Sequence, residues 1–260
     1  MPDRQHHDDG QRVRDAVERT LRTGTARIRQ TMDGPAGRVV ATGTVDFARR
    51  RARAVLALPP HPDAPVPDAV TEVEMVIDGV DTYTAVIDRP GRFVHDRLAN
   101  PAEGASAGDP GLLLDLLRGT TDASVVEHAE LPDADWSALE VEIDLDRAME
   151  RAPDELRRQL REVIDGVGRD FRPRRARLHL DDTDRIRRID IDIASHGQPA
   201  QRLDVELSNL GEDLVVALPD AASILDDREM ADLSAELAER FGDEHLAPPT
   251  APDTSQDHHP

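Results

Sequence analysis

The 260-residue chain contains no cysteine. That excludes disulfides, thiolate metal sites, a cysteine nucleophile and a lipid-modified N-terminal cysteine. It contains no lysine either, and all 32 basic residues are arginine. Against them stand 53 acidic residues and a formal net charge of -21, a balance that argues against nucleic-acid binding, which needs basic patches that release counterions. Aromatic residues make up 2% of the chain, too few for base-stacking or carbohydrate platforms. No apolar run reaches the roughly 18 residues of a transmembrane segment, and the polar N-terminal stretch carries no apolar signal segment. The expectation is a cytoplasmic acidic protein, exported only if the true start lies upstream.

What is present is alternation. At 38% hydrophobic residues the chain can bury a core, and length favours one domain. The centre is the stretch 38–58. Val39, Ala41, Gly43, Val45 and Phe47 alternate with polar residues, then Ala52, Ala54, Leu56 and Leu58 alternate with Arg51 and Arg53. A period of two with one charged face is a half-buried strand, and two such runs in succession form a hairpin that Pro59 and Pro60 terminate. A hairpin of this kind needs more strands or a covering helix.

The rest of the chain supplies both. Residues 1–10 read as a disordered lead. Val13, Val17 and Leu21 give a short amphipathic helix from Gln11 to near Gly24. Residues 25–32 read as the first strand, 59–68 as a proline-rich loop, 73–77 and 82–87 as a pair turning at Asp78-Gly79, and 92–96 as a short further strand. Asp109-Pro110 opens a helix of almost continuous leucine, which must be buried or cover a cavity. Strands follow at 125–131 and 138–145, with Asp146 capping a helical region that Pro153 restarts. Leu156, Leu160, Val163 or Ile164, and Val167 carry the stripe of that second helix. Strands at 174–180, 185–194 and 201–207 finish the body, with a final edge at 215–218. Residues 227–242 form a separate amphipathic helix striped by Met230, Leu233, Leu237 and Phe241, and 243–260 a disordered tail.

The fold class that follows is α+β: a curved antiparallel sheet forming a half-open, incomplete β-barrel of about eleven strands with helices over the concave face. The chain from Val13 to Asp226 resembles the LolA/LppX/LprG-type lipid-binding family common among actinobacterial lipoproteins. The resemblance is carried by the helix leading into a first strand, the Gly43-Thr44-Val45-Asp46-Phe47 strand with its arginine-rich return, and the Asp78-Gly79-Val80-Asp81-Thr82-Tyr83 hairpin. It continues in the leucine helix after Asp109-Pro110, the Val141-Glu142-Ile143-Asp144-Leu145 strand and the Arg185-Ile186-Arg187-Arg188-Ile189 strand. It implies a hydrophobic cavity for acyl chains between sheet and helices, and no catalytic residues. The chain departs from the family in lacking a signal peptide and a lipobox cysteine.

No catalytic motif is present: no HExxH, no G-x-S-x-G and no glycine-rich phosphate loop. Asp181-Asp182-Thr183-Asp184 lacks the glycine and late glutamate of a calcium loop. His95, His128 and His179 lie on separate strands, and His179 alternates onto the outer face, so no metal site and no cofactor is expected. The candidate ligand-binding residues are the inward rows and the leucine helix: Val45, Phe47, Leu56, Met75, Ile77, Leu113, Leu117, Val141, Ile143, Leu178 and Leu180. Two functions follow. One is a non-catalytic binding protein for a lipid or other hydrophobic ligand. The other is a protein-interaction module that uses its acidic surface or the 230–241 helix, the latter serving either as a lid on the half-barrel or as a docking element.

Overall fold

The computed structural model describes residues 3–34, 37–59, 71–79, 81–87, 89–97, 110–126, 135–154, 157, 161, 175–193 and 201–241. Eleven strands form one antiparallel sheet. They are β1 (Thr25–Gly34), β2 (Gly37–Asp46), β3 (Arg51–Leu58), β4 (Thr71–Asp78), β5 (Asp81–Ala85), β6 (Phe93–Arg97), β7 (Thr120–Val125), β8 (Ser137–Ile143), β9 (Arg175–Leu180), β10 (Ile186–Ile193) and β11 (Gln201–Ser208). Their order is β6-β5-β4-β3-β2-β1-β11-β10-β9-β8-β7. Two meanders, β1 to β6 and β7 to β11, are therefore sewn together by the β1·β11 pairing. β6 and β7 are not paired with each other, so the sheet stays a half-open barrel.

Helix α1 (Asp3–Leu21) buries Val13, Ala16, Val17 and Thr20 along one face. The Thr20 hydroxyl donates to the Ala16 carbonyl and accepts from the Ile186 amide, which fastens the helix to β10. The helix starts at Asp3 rather than at Gln11, within what reads from sequence as a disordered lead. Residues 3–10 carry no apolar stripe, so periodicity cannot reveal a helical turn there. Helix α2 (Pro110–Leu116) ends in a short 3-10 turn, Leu117–Gly119, and runs straight into β7. That strand therefore begins at Thr120 and ends at Val125, not at 125–131 as the apolar residues suggest; residues 127–134 lie outside the described set. The cap of helix α3 (Leu145–Arg151) is Asp144, whose carboxylate accepts the Arg147 amide, and not Asp146, which sits in the first turn. The competing acids are two residues apart, and only backbone geometry separates them. The second helical stripe, at Leu156, Leu160 and Val167, falls outside the described residues.

Alternation directs the inner residues of β1, β2 and β7 to β11 onto the helices. One core joins Val13 and Val17 of α1, Leu112 to Leu114 and Leu116 of α2, Leu117, and strand residues from Ala26 to Leu207. The convex face carries arginine–carboxylate pairs across neighbouring strands, such as Arg51–Asp78 at 2.8 Å and Arg53–Glu74 at 2.7 Å. Residues 215–218 are no strand. They belong to a segment, 213–226, extended but for a 3-10 turn at Ala221–Ser223, that crosses the convex face of the first meander. Arg53 donates to the Ala217 carbonyl, the Leu225 amide donates to the Phe93 carbonyl at 2.9 Å, and Ile224 bridges Phe93. Val216 and Leu225 are buried while Val215 is 81% exposed. That pattern imitates a strand in sequence, yet the segment answers one side of Phe93 rather than a ladder. Helix α4 (Asp227–Phe241) follows, opened by a reciprocal pairing of Asp226 and Glu229 with each other's amides. It is held at the β5–β6 turn by the ion pairs Arg92–Glu229 and Arg89–Glu236.

Candidate apolar trough on the concave face

The strand register aligns the inner side chains in rows. One row runs Ile28, Gly43, Ala54, Met75, Thr84, and the next runs Gln30, Ala41, Leu56, Val73. Met32 and Val39 begin a third, with Leu58 on the same face at the end of β3. From Gly43 to Val73 these residues are only half-buried, as are Val39 and Leu58. Followed the other way from Gln30, the second row becomes Val205, Ile189, Leu178 and Leu139, each at most 1% exposed. The helices thus close the second meander, while the first presents an aliphatic concave surface.

Small side chains deepen that surface. A Cβ on Gly43 would lie 2.0 Å from the Arg53 carbonyl oxygen and 2.9 Å from the Ala54 Cβ, far inside the usual cross-strand spacing of roughly 4.5–5.5 Å. β2 and β3 therefore approach each other closely where Gly43 meets Ala54, and no larger residue fits at Gly43. At the hairpin end the trough is closed by the buried row Ala26, Val45, Ala52, Ile77, Thr82.

A buried ion cluster fixes α2 near that end. Asp115, the acid within the leucine helix, is 2% exposed. Its carboxylate accepts from Arg50 of the β2–β3 turn at 2.8 Å and from Arg118 at 2.9 Å, and Arg118 also pairs with Glu18 of α1. Arg50 reaches inward because its backbone adopts a left-handed conformation, φ 53°. Asp46 secures the same turn by accepting from the Arg49 amide and guanidinium. Burial alone would raise the Asp46 pKa, but those hydrogen bonds bring it below the ordinary value.

The sequence-derived candidates divide between the two environments. Val45, Phe47, Leu113, Leu117, Val141, Ile143, Leu178 and Leu180 belong to the closed core shared with the helices. Leu56 and Met75 lie in the open rows, and Ile77 sits in the row that closes them. Val39, Ala41, Ala54, Leu58, Val73 and the threonines of β5 also face the trough. Their signal in the sequence is the run of Gly and Ala at matching inner positions of β2 and β3, which marks a thin wall rather than a filled layer.

The histidines of β6 and β9 and the paired aspartates of β10 and β11 lie on the other face. His95 hydrogen-bonds Asp81 at 2.9 Å and stacks on Tyr83. His179 lies 3.6 Å from Asp190, far along the strand order from His95, and His128 is outside the described residues. Among the described residues no group of three histidines or carboxylates is placed to hold a metal. Asp190 and Asp204 oppose each other across β10 and β11, with Arg188 bonded to both and Arg202 to Asp190. Burial, then the neighbouring Asp190, pushes the Asp204 carboxyl up to about 6. Asp190 goes the other way: burial opposes its charge, but bonds with His179 and Asp204 and the Arg188 charge hold it below the usual range. Trp136 lies beneath the Arg187 guanidinium, 5.8 Å from the ring centroid. No described helix is long and apolar enough to cross a membrane.

No family model and no curated protein matches the chain. Solved structures do. LprF from Mycobacterium bovis is 17% identical with a TM-score of 0.47, covering 82% of this chain and 98% of that one. A DUF1329 family protein from Desulfovibrio piger is 10% identical with a TM-score of 0.30, covering 80% and 95%. A putative outer membrane lipoprotein-sorting protein domain from Vibrio parahaemolyticus is 7% identical with a TM-score of 0.31, covering 78% and 93%. At these identities and scores the likeness says nothing of ligand or activity.

Proposed function

We propose that this chain is a non-catalytic binding protein that holds a hydrophobic ligand, a lipid acyl chain in the first instance, against the concave face of β2 to β4. The observation that supports it is the half-burial of Val39, Ala41, Ala54, Leu56, Leu58, Val73 and Met75 on the inner face, in register with residues the helices seal on the other meander. Isolated exposed apolar residues are ordinary, but a contiguous concave set is the usual setting of an apolar ligand. Small residues at Ala41, Gly43 and Ala54 leave width for a linear chain. The described residues of this face supply no nucleophile paired with a base, which fits holding rather than turnover.

The test is native mass spectrometry of freshly purified protein, followed by titration with a fluorescent acyl-chain probe. A copurifying apolar adduct, or saturable probe binding that Ala54→Trp abolishes without unfolding, is the expected result. Absence of both, with a protein captured through α4 instead, would replace this reading with an interaction module.

A further inference from the structure

The trough is not uniformly aliphatic. Its β5 wall carries two hydroxyls on the inner face, Thr84 beside Met75 and Thr82 beside Ile77. Thr84 is half-buried, at the level of the open rows. Thr82 is 4% exposed, and its Oγ1 is sealed from solvent with no hydrogen-bond partner among the described residues. Threonine hydroxyls in folded chains ordinarily find a partner. Thr20, Thr120 and Thr183 of this chain all do, donating to the Ala16 carbonyl, the Leu117 carbonyl and the Asp181 carboxylate. A buried hydroxyl left unpaired costs stability that valine, of the same shape, would not. The strand register puts this one where the trough meets its closed end, with Thr84 one row nearer the opening.

We infer that Thr82 is the polar specificity determinant of the trough: its hydroxyl donates to an acceptor oxygen at the leading end of the ligand, while the aliphatic rows hold the chain behind it. This rests on the binding reading above and sharpens it. The ligand is an amphiphile that enters oxygen first, not a plain hydrocarbon. Thr84 offers a second hydroxyl along the route inward. Desolvation at the closed end makes the preference large for a single contact, because a ligand without the oxygen leaves the hydroxyl as it stands, buried and unpaired.

The experiment compares 2-undecanone with undecane as competitors for a bound acyl-chain dye, in the parent chain and in Thr82→Val and Thr82→Ser. The parent should prefer the ketone by about fivefold to tenfold, the worth of one hydrogen bond. Thr82→Val should bind both at the undecane level and, without ligand, melt about 2–4 °C higher because the unpaired group is gone. Thr82→Ser should retain the preference. If undecane competes as well as the ketone in the parent, or the preference persists in Thr82→Val, the role of Thr82 is refuted and the trough stands. If neither molecule competes in the parent, the binding reading fails and this inference with it.

Discussion

The row that starts at Gln30 runs in two directions with opposite outcomes. Toward β8 it passes Val205, Ile189, Leu178 and Leu139, all sealed beneath α1 and α2; toward β4 it passes Ala41, Leu56 and Val73, all partly open. Composition does not explain the difference, since both arms are aliphatic. The covering elements do. α1 packs on β7 and reaches β10, and α2 is bound to the β2–β3 turn by Asp115, so among the described residues the helices sit over the second meander and the hairpin end of the first. One sheet therefore carries a closed core along one arm and a half-buried apolar face along the other.

The comparison breaks first if the two arms respond alike to truncation. Leu178→Ala opens a cavity in a closed layer and should cost about 2–5 kcal/mol, whereas Leu56→Ala, already partly solvated, should cost under about 1 kcal/mol. Urea midpoints at unchanged slope measure both. Next comes the latch between the arms. Asp115→Ala strands Arg50 and Arg118 without their carboxylate and should cost about 3 kcal/mol, and adding Arg50→Ala should then cost little more, which a double-mutant cycle reads directly.

Overpacking sharpens the same contrast. Val45→Trp, in the closed layer, should lose about 1–3 kcal/mol. Ala54→Trp should leave the urea midpoint nearly unchanged while abolishing acyl-probe uptake. A stable Val45→Trp that also blocks uptake would extend the receptacle into the core.

The smallest effect is on the convex side of the second meander. The folded Asp204 carboxyl titrates near 6 against an ordinary 3.8. The folded state therefore holds this proton longer than the unfolded chain, and the stability it brings is full below about pH 4 and is lost as pH rises to about 6. Asp190, held low, works in the opposite sense, and its contribution is lost only in more acidic solution, as pH falls below the ordinary carboxylate value. Asp204→Asn should flatten the decline in unfolding free energy between pH 4 and 6.5, read from urea midpoints, by about 1 kcal/mol once solvent screening is allowed for. An unchanged slope would show that the pair does not share a proton.

Ten of the eleven strands are legible within a few residues because most of them alternate, and alternation is the signature of a sheet with one face in water, while turn signals bound the short β5 and β6. β7 is displaced because Thr120, Asp122 and Ser124 give it little apolar pattern, while Val125 and Val126 draw the eye past its end. Residues 213–226 mislead for the converse reason: Val216 and Leu225 are buried by a single crossing of the convex face, with no ladder to enforce a period. The division of the inner rows between core and trough was not legible at all. Val45 and Ala54 occupy equivalent inward positions in sequence, and what separates them is the reach of α2, set by an arginine in a turn and an aspartate more than sixty residues away.

The seam between the two meanders has a consequence for synthesis and folding. Ile28 finds its partner in Leu207, so β1 is a strand with one bare edge until almost the whole chain has been made. Pairing across so large a separation is slow, since loop closure must precede any reward. During that interval the first meander presents both an unpaired edge and an uncovered apolar face, the combination most prone to association with other chains. Chains ending before residue 201 should therefore collect as aggregates rather than as folded half-proteins, and the arrival of β11 is the step that joins the two meanders into one sheet.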